Sequence, residues 1–132
     1  MKNNSSSNFK ILLVDDDEIT NYITTTKLKN QGFENIEAVI DGQLALDYLK
    51  DNTPSLIILD VNMPVMDGFE FLEELSIKSI YQDIPIAMLT SSGRLADKEK
   101  AAKYKNVIAY LEKPLSYENI QNILLTMNKS LT

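Results

Sequence analysis

The sequence predicts an α/β domain, a doubly wound five-stranded parallel sheet with helices on both faces. Three observations carry this prediction. Five short apolar runs alternate with stretches long enough for crossover helices. Those stretches carry apolar residues at helical spacing. Pro54, Pro64, Pro85 and Pro114 all fall between or at the edges of the elements, where a missing N–H is tolerated.

The elements follow in order. "MKNNSSSN" is polar, has no apolar core of a secretion signal, and reads as a disordered lead-in over residues 1–8, ahead of one domain at 9–128. "KILLV" is the first strand and runs directly into Asp15, Asp16 and Asp17. "IEAVI" is the second, followed by a helix with Leu44, Ala45, Tyr48 and Leu49 facing inward. "SLIIL" is the third, followed by Phe71, Leu72 and Leu75 on a helix face. "IPIAML" is the fourth. The next segment, "GRLADKEKAAKYKN", offers only Leu95, its alanines and Tyr104 as apolar contacts, so its helix is expected to be the most loosely held and mobile. "VIAYL" is the fifth strand. The clearest helix follows it, with Ser116 as N-cap and Ile120, Ile123, Leu124 and Met127 at i, i+3, i+4 and i+7.

Composition narrows the chemistry. The 132 residues suit one domain with a real core, and nothing after the last helix beyond "NKSLT" suggests an output domain. A net charge of −6 argues against a nucleic-acid surface and for cationic or basic partners. The absence of cysteine and histidine excludes disulfides, thiolate and imidazole metal sites, histidine bases and phosphohistidine. No apolar run approaches the ~20 residues that span a bilayer, so the reading is cytoplasmic, with no membrane partner.

In a parallel sheet the residues just after the strands' carboxyl ends meet at one edge, where open α/β folds place ligands. Here those residues are Asp15 to Asp17, Asp60, Thr90 with Ser91, and Lys113. Two carboxylates ~5 Å apart repel by roughly 3 kcal/mol at an effective dielectric of ~20, so three in a row either fan out into water or surround something positive. Taken singly, Asp15 to Asp17 fit a solvated helix N-terminus, Asp60 a turn or cap, Thr90 a cap and Lys113 a surface charge. Taken together they form an oxygen-only site suited to Mg²⁺ or Mn²⁺. Beside such a cation a remaining carboxylate can attack phosphorus, and Lys113 and Thr90 can hold the phosphoryl oxygens. A charged residue that turns back over this site at Lys113-Pro114 predicts a cis peptide there.

The segments "LLVDDD", "LIILDVNMPVMDG", "IAMLTSS" and "YLEKPL", in that order, resemble the receiver domain of two-component response regulators, similar to the single-domain chemotaxis regulator. The resemblance implies a flavodoxin-like (βα)5 sheet of strand order 2-1-3-4-5. It implies that Asp60 is the phosphoacceptor, supplied by a histidine kinase or histidine phosphotransfer protein. Mg²⁺ would be bound by the Asp16 and Asp60 carboxylates and the Asn62 main-chain carbonyl, with Asp15 acting through water. Thr90 and Lys113 would contact the phosphoryl group. Tyr110 would turn inward as Thr90 moves, altering the surface of the fourth helix, fifth strand and fifth helix that an unknown downstream protein reads.

Asn62 and Ser92 lie where the family tunes phosphoryl lifetime. The chain departs from the family in "AAKYKNVIAY", where a Gly-Ala pair is common. Two other functions compete. Haloacid-dehalogenase-type phosphatases also use aspartates after a first strand, but "DDDEI" misses their pattern at Ile19 and no acidic pair follows Lys113. A phosphorylation-independent interaction module would usually have lost one of the chemical positions, and all are present.

Overall fold

The computed structural model describes residues 8–78, 83–91 and 93–131, with side chains as far as Asn128. The lead-in 1–7 and Ser92 lie outside the described residues. Strands β1 (Lys10–Val14), β2 (Asn35–Val39), β3 (Leu56–Asp60), β4 (Ile86–Thr90) and β5 (Val107–Glu112) alternate with five helices. These are α1 (Glu18–Asn30), α2 (Gly42–Leu49), α3 (Gly68–Ile77), α4 (Leu95–Ala101) and α5 (Tyr117–Leu131). All strand pairs are parallel and the order is β2-β1-β3-β4-β5, the flavodoxin-like arrangement.

The strand pleat divides the core in two. Leu12, Val14, Ile57, Leu59, Ile86 and Met88 point to the face covered by α2, α3 and α4. Ile11, Leu13, Leu56, Ile58, Ala87 and Leu89 point to the face covered by α1 and α5. Central β1, β3 and β4 are buried almost throughout, which is why their sequences are apolar on both phases. The register of β4 on β5 slips after Ile86, which pairs with Val107, so that Ala87 pairs with Ala109 and Ile108 is the extra residue of a bulge.

Two expected inward contacts are corrected. Leu44 is 42% exposed, because α2 starts after its Asp41 cap and turns Gly42, Ala45, Leu46 and Leu49 inward, themselves an i, i+3, i+4, i+7 set. Leu95 is 68% exposed, being the first residue of a seven-residue helix in which only Ala101 is buried. The other helices agree with the expected faces: Phe71, Leu72 and Leu75 are buried on α3, and Ile120 and Ile123 on α5. Ser116 caps α5 as expected, accepting from the Asn119 amide at 3.0 Å while its own amide donates to Asn119 Oδ1 at 3.1 Å. No helix among the described residues is long and apolar enough to cross a membrane.

Candidate functional site

The three consecutive aspartates meet three different fates. Asp15 is buried at the end of β1; its backbone carbonyl accepts from Asn21 Nδ2 at 2.9 Å, and its Oδ1 accepts from the Asp17 amide at 2.9 Å. Asp16 is exposed and faces the site. Asp17 caps α1, accepting from the Thr20 hydroxyl at 2.9 Å and the Ile19 amide at 3.0 Å, and these two bonds hold its carboxyl below the usual range. The solvated-helix-start reading therefore describes Asp17 well.

Asp60, 4% exposed, ends β3. Carboxylate oxygens of Asp15, Asp16 and Asp60 all lie within 4.8 Å of one another. Lys113 reaches in from the end of β5, with its Nζ 2.8 Å from Asp15 Oδ2 and 3.4 Å from Asp60 Oδ1. Part of the positive charge that the aspartates call for is thus the protein's own. Burial and the neighbouring Asp15 carboxylate push the Asp60 carboxyl up to about 6, against the opposing pull of Lys113 and the Asn62 amide. Burial alone would lower the Lys113 ammonium, but Asp15 and Asp60 outweigh it and raise it.

Local structure sets these positions. The Lys113 amide donates to the Thr90 carbonyl at 2.7 Å, and the Lys113-Pro114 peptide is cis, as the sequence predicted. After β3 the chain loops over Val61–Asp67 and enters α3 through a capping box, in which Asp67 Oδ1 accepts from the Glu70 amide at 2.8 Å and Glu70 Oε1 accepts from the Asp67 amide at 2.9 Å. Gly68 is obligatory here, because a Cβ would lie 2.5 Å from the Asp60 carbonyl oxygen and 3.0 Å from Val61 Cα. That close approach folds α3 tightly behind Asp60.

Strand phase separates the remaining residues from this cluster. Asp15 and Asp60 are in phase with Leu13 and Ile58, on the α1/α5 face, whereas Thr90 is in phase with Met88 on the opposite one. Tyr110 packs on that opposite face too. Its hydroxyl is buried without a hydrogen bond of full geometry. Burial raises its pKa, and neighbouring Thr90 lowers it by less. The structure thus gathers Asp15, Asp16, Asp60 and Lys113 directly, brings Thr90 in through its backbone, and sets Tyr110 beside Thr90. Asn62 sits at the mouth through its amide contact to Asp60. Sequence reasoning missed Asn21, because this helix exposes Ile19, Tyr22 and Ile23 while burying Asn21 and Thr24 and so offers no apolar stripe to read, and Lys27, considered below.

A family model of the response regulator receiver domain matches residues 11–125. The chain belongs to this family. Among its relatives, Protein PilG of Pseudomonas aeruginosa is 33% identical over 115 residues, covering 87% of this chain and 84% of that protein. Chemotaxis protein CheY-3 of Vibrio cholerae is 29% identical, covering 90% and 91%. The receiver spans about half the length of others, 49% of Response regulator Rre1 of Synechocystis and 45% of a probable transcriptional regulator of Cyanophora paradoxa. Among solved structures, a two-component response regulator from Cytophaga hutchinsonii superposes with a TM-score of 0.82 at 29% identity, covering 90% of this chain and 96% of that one. The chemotaxis response regulator CheY4 of Vibrio cholerae gives 0.77 at 32%, covering 89% and 96%. Receivers of this family are signalling modules of two-component systems, phosphorylated by histidine kinases, and the acidic trio fits phosphorylation and divalent-metal binding.

Proposed function

We propose that this receiver accepts a phosphoryl group on Asp60 from the phosphohistidine of a histidine kinase or phosphotransfer protein, and signals by a change of its protein-binding surface. The observation that carries the reading is the Lys113 ammonium set between Asp15 and Asp60, with Asp16 completing the carboxylate trio at the carboxyl edge of the sheet.

An Asp60 oxygen attacks phosphorus, the new O–P bond replaces the P–N bond to the donor imidazole, and the imidazole leaves. The Lys113 ammonium neutralises the incoming phosphoryl oxygens, and the Thr90 hydroxyl donates to them. A hard cation fits the donor set, since only oxygen ligands converge here; Asp15, Asp16, Asp60 and the Asn62 main-chain carbonyl would hold Mg²⁺. When bound, it would supply positive charge to offset the negative charge of the carboxylates and the phosphoryl oxygens. Asn62 and Ser92, second in sequence after Asp60 and Thr90, would influence the phosphoryl lifetime. Thr90, drawn toward the phosphoryl group, moves away from Tyr110, and that shift passes to the surface of α4, β5 and α5.

On this reading the protein catalyses only its own phosphorylation and dephosphorylation and turns over no other substrate. Its partners are a cytoplasmic phosphodonor and a downstream protein, not nucleic acid or a membrane, in keeping with a net charge of −6. Incubation with acetyl phosphate and Mg²⁺ is expected to add one phosphoryl group, at Asp60, and none to Asp60→Asn. Undiminished Mg²⁺-dependent labelling of that variant in intact-mass spectra would refute the assignment, and labelling at Asp15 would favour phosphatase-like chemistry.

A further inference from the structure

The turn between β5 and α5 carries Lys113, so whatever fixes this turn fixes the ammonium. At its start the Lys113 amide is bonded to Thr90; at its end Ser116 and Asn119 close the α5 cap, and between them the Leu115 side chain is buried. One further contact comes from elsewhere. Lys27, in the third turn of α1, donates from Nζ to the Leu115 main-chain carbonyl at 2.6 Å, across 88 residues of chain. Among the described residues Lys27 has no carboxylate at ion-pair distance, so its charge is directed at this one neutral oxygen.

The same helix supports the other side of the site. Asn21, in its first turn, holds the Asp15 carbonyl, and Asp17, its cap, donates its amide to the Asp15 carboxylate. A rigid helix therefore grips Asp15 at one end and the Lys113 turn near the other. We infer that Lys27 is a positioning residue for Lys113: by clamping the Leu115 carbonyl to α1, it sets the distance of the Lys113 ammonium from the Asp15 and Asp60 carboxylates. Its kinetic consequence rests on Asp60 being the phosphoacceptor; its geometric consequence does not.

The test uses the full chain with Lys27→Met, which keeps the length and apolar stem but removes the donor, and Lys27→Arg, which restores a cationic donor. Lys27→Gln, too short to reach, substitutes should Lys27→Met fail to fold. Gln31→Ala is the control, since it breaks a different α1–α5 contact, Gln121 Nε2 to Gln31 Oε1 at 3.1 Å. Labelling by acetyl phosphate at saturating Mg²⁺ should slow about tenfold in Lys27→Met, recover to within about twofold of wild type in Lys27→Arg, and stay unchanged in Gln31→Ala. In chelator, the Lys113, Leu115 and Ser116 amide resonances should move in Lys27→Met and return in Lys27→Arg. Wild-type labelling by Lys27→Met, or equal slowing in Lys27→Met and Gln31→Ala, overturns the inference. Should wild type take no phosphoryl group, the phosphoacceptor reading falls and the resonances alone decide: unmoved in Lys27→Met, they overturn the clamp; moved and restored, they sustain it.

Discussion

Helices α1 and α4 both flank the carboxyl edge of the sheet, and they are held in opposite ways. Helix α1 has 13 residues, a bonded Asp17 cap and three buried side chains, Asn21, Thr24 and Leu28, and it reaches the site through Asn21 and Lys27. Helix α4 has seven residues, an Arg94 cap position with no side-chain hydrogen bond, and only Ala101 buried. Beyond Ala101, which joins the core cluster of α3, the contacts that tie α4 to α3 are polar and peripheral. Lys100 lies over the Phe69 ring at 4.3 Å, and the Tyr104 hydroxyl, just past α4, donates to exposed Glu73 at 2.8 Å. Such contacts exchange with water at little cost, whereas displacing α1 exposes core and breaks the support of Asp15. On the function proposed above, that difference separates chemistry from response. The carboxylates and Lys113 sit on the rigid α1/α5 side, and Thr90 and Tyr110 sit on the side whose neighbouring helix is cheapest to move.

The comparison breaks most directly in the core. Leu28→Ala on α1 is expected to cost about 3 kcal/mol, because a fully buried side chain leaves a cavity, while Leu95→Ala on α4 should fall within about 0.5 kcal/mol of wild type. Urea denaturation followed by far-UV circular dichroism measures both, and equal losses would contradict the contrast.

The next effect probes the carboxylates that lead into α1. Mg²⁺ at 100 times its dissociation constant should stabilise the fold by roughly 2.7 kcal/mol, and Asp16→Asn should lose most of that response. Thermal melts in chelator and in Mg²⁺ at matched ionic strength decide it, and coincident wild-type melts count against a cation at this site. Lys113 already offsets part of the repulsion, and Asp16 is exposed, so relief of strain in metal-free Asp16→Asn should be small beside the lost Mg²⁺ response.

Asp60 provides a third probe through pH. Its carboxyl is raised to about 6 in the fold, so between its unfolded pKa and about 6 the folded state holds more protons than the unfolded one. Stability contributed by the protonated form is present at low pH and lost as pH rises through about 6. Metal-free wild type should therefore lose on the order of 2 kcal/mol relative to Asp60→Asn over that window, with a constant difference above it. A difference that does not change with pH would place Asp60 in a more solvated setting than the structure has it.

The smallest effect concerns the caps. Asp17→Ala should cost about 1 kcal/mol, since it orphans the Ile19 amide, whereas Arg94→Ala, which removes no cap bond, should be neutral within about 0.3 kcal/mol. Native-state hydrogen exchange extends the contrast, with amides of α4 expected to exchange before those of α1. The reverse order would remove the basis for assigning the response to the α4 side.

The sequence by itself determined the three central strands, because a strand buried on both faces must be apolar along its length, and "ILLV", "LIIL" and "IAML" leave no polar phase to face water. It also determined which groups reach the carboxyl edge, since Asp15, Asp60, Thr90 and Lys113 each end or directly follow a strand. It could not tell three adjacent aspartates apart. Asp15 directly follows a strand and is buried, Asp16 is exposed, and Asp17 caps a helix; pleat and cap geometry decide this, and identical side chains carry no mark of it. Nor could local periodicity orient Leu44, because the start of α2 at Asp41 sets the helix phase. Only the tertiary structure put Lys113 against Asp15, Thr90 and Tyr110 on the opposite phase, and Lys27 on the Leu115 carbonyl. Those contacts join elements far apart in the chain through crossover packing, and helical and strand periods record which face of an element is buried without recording what lies against it.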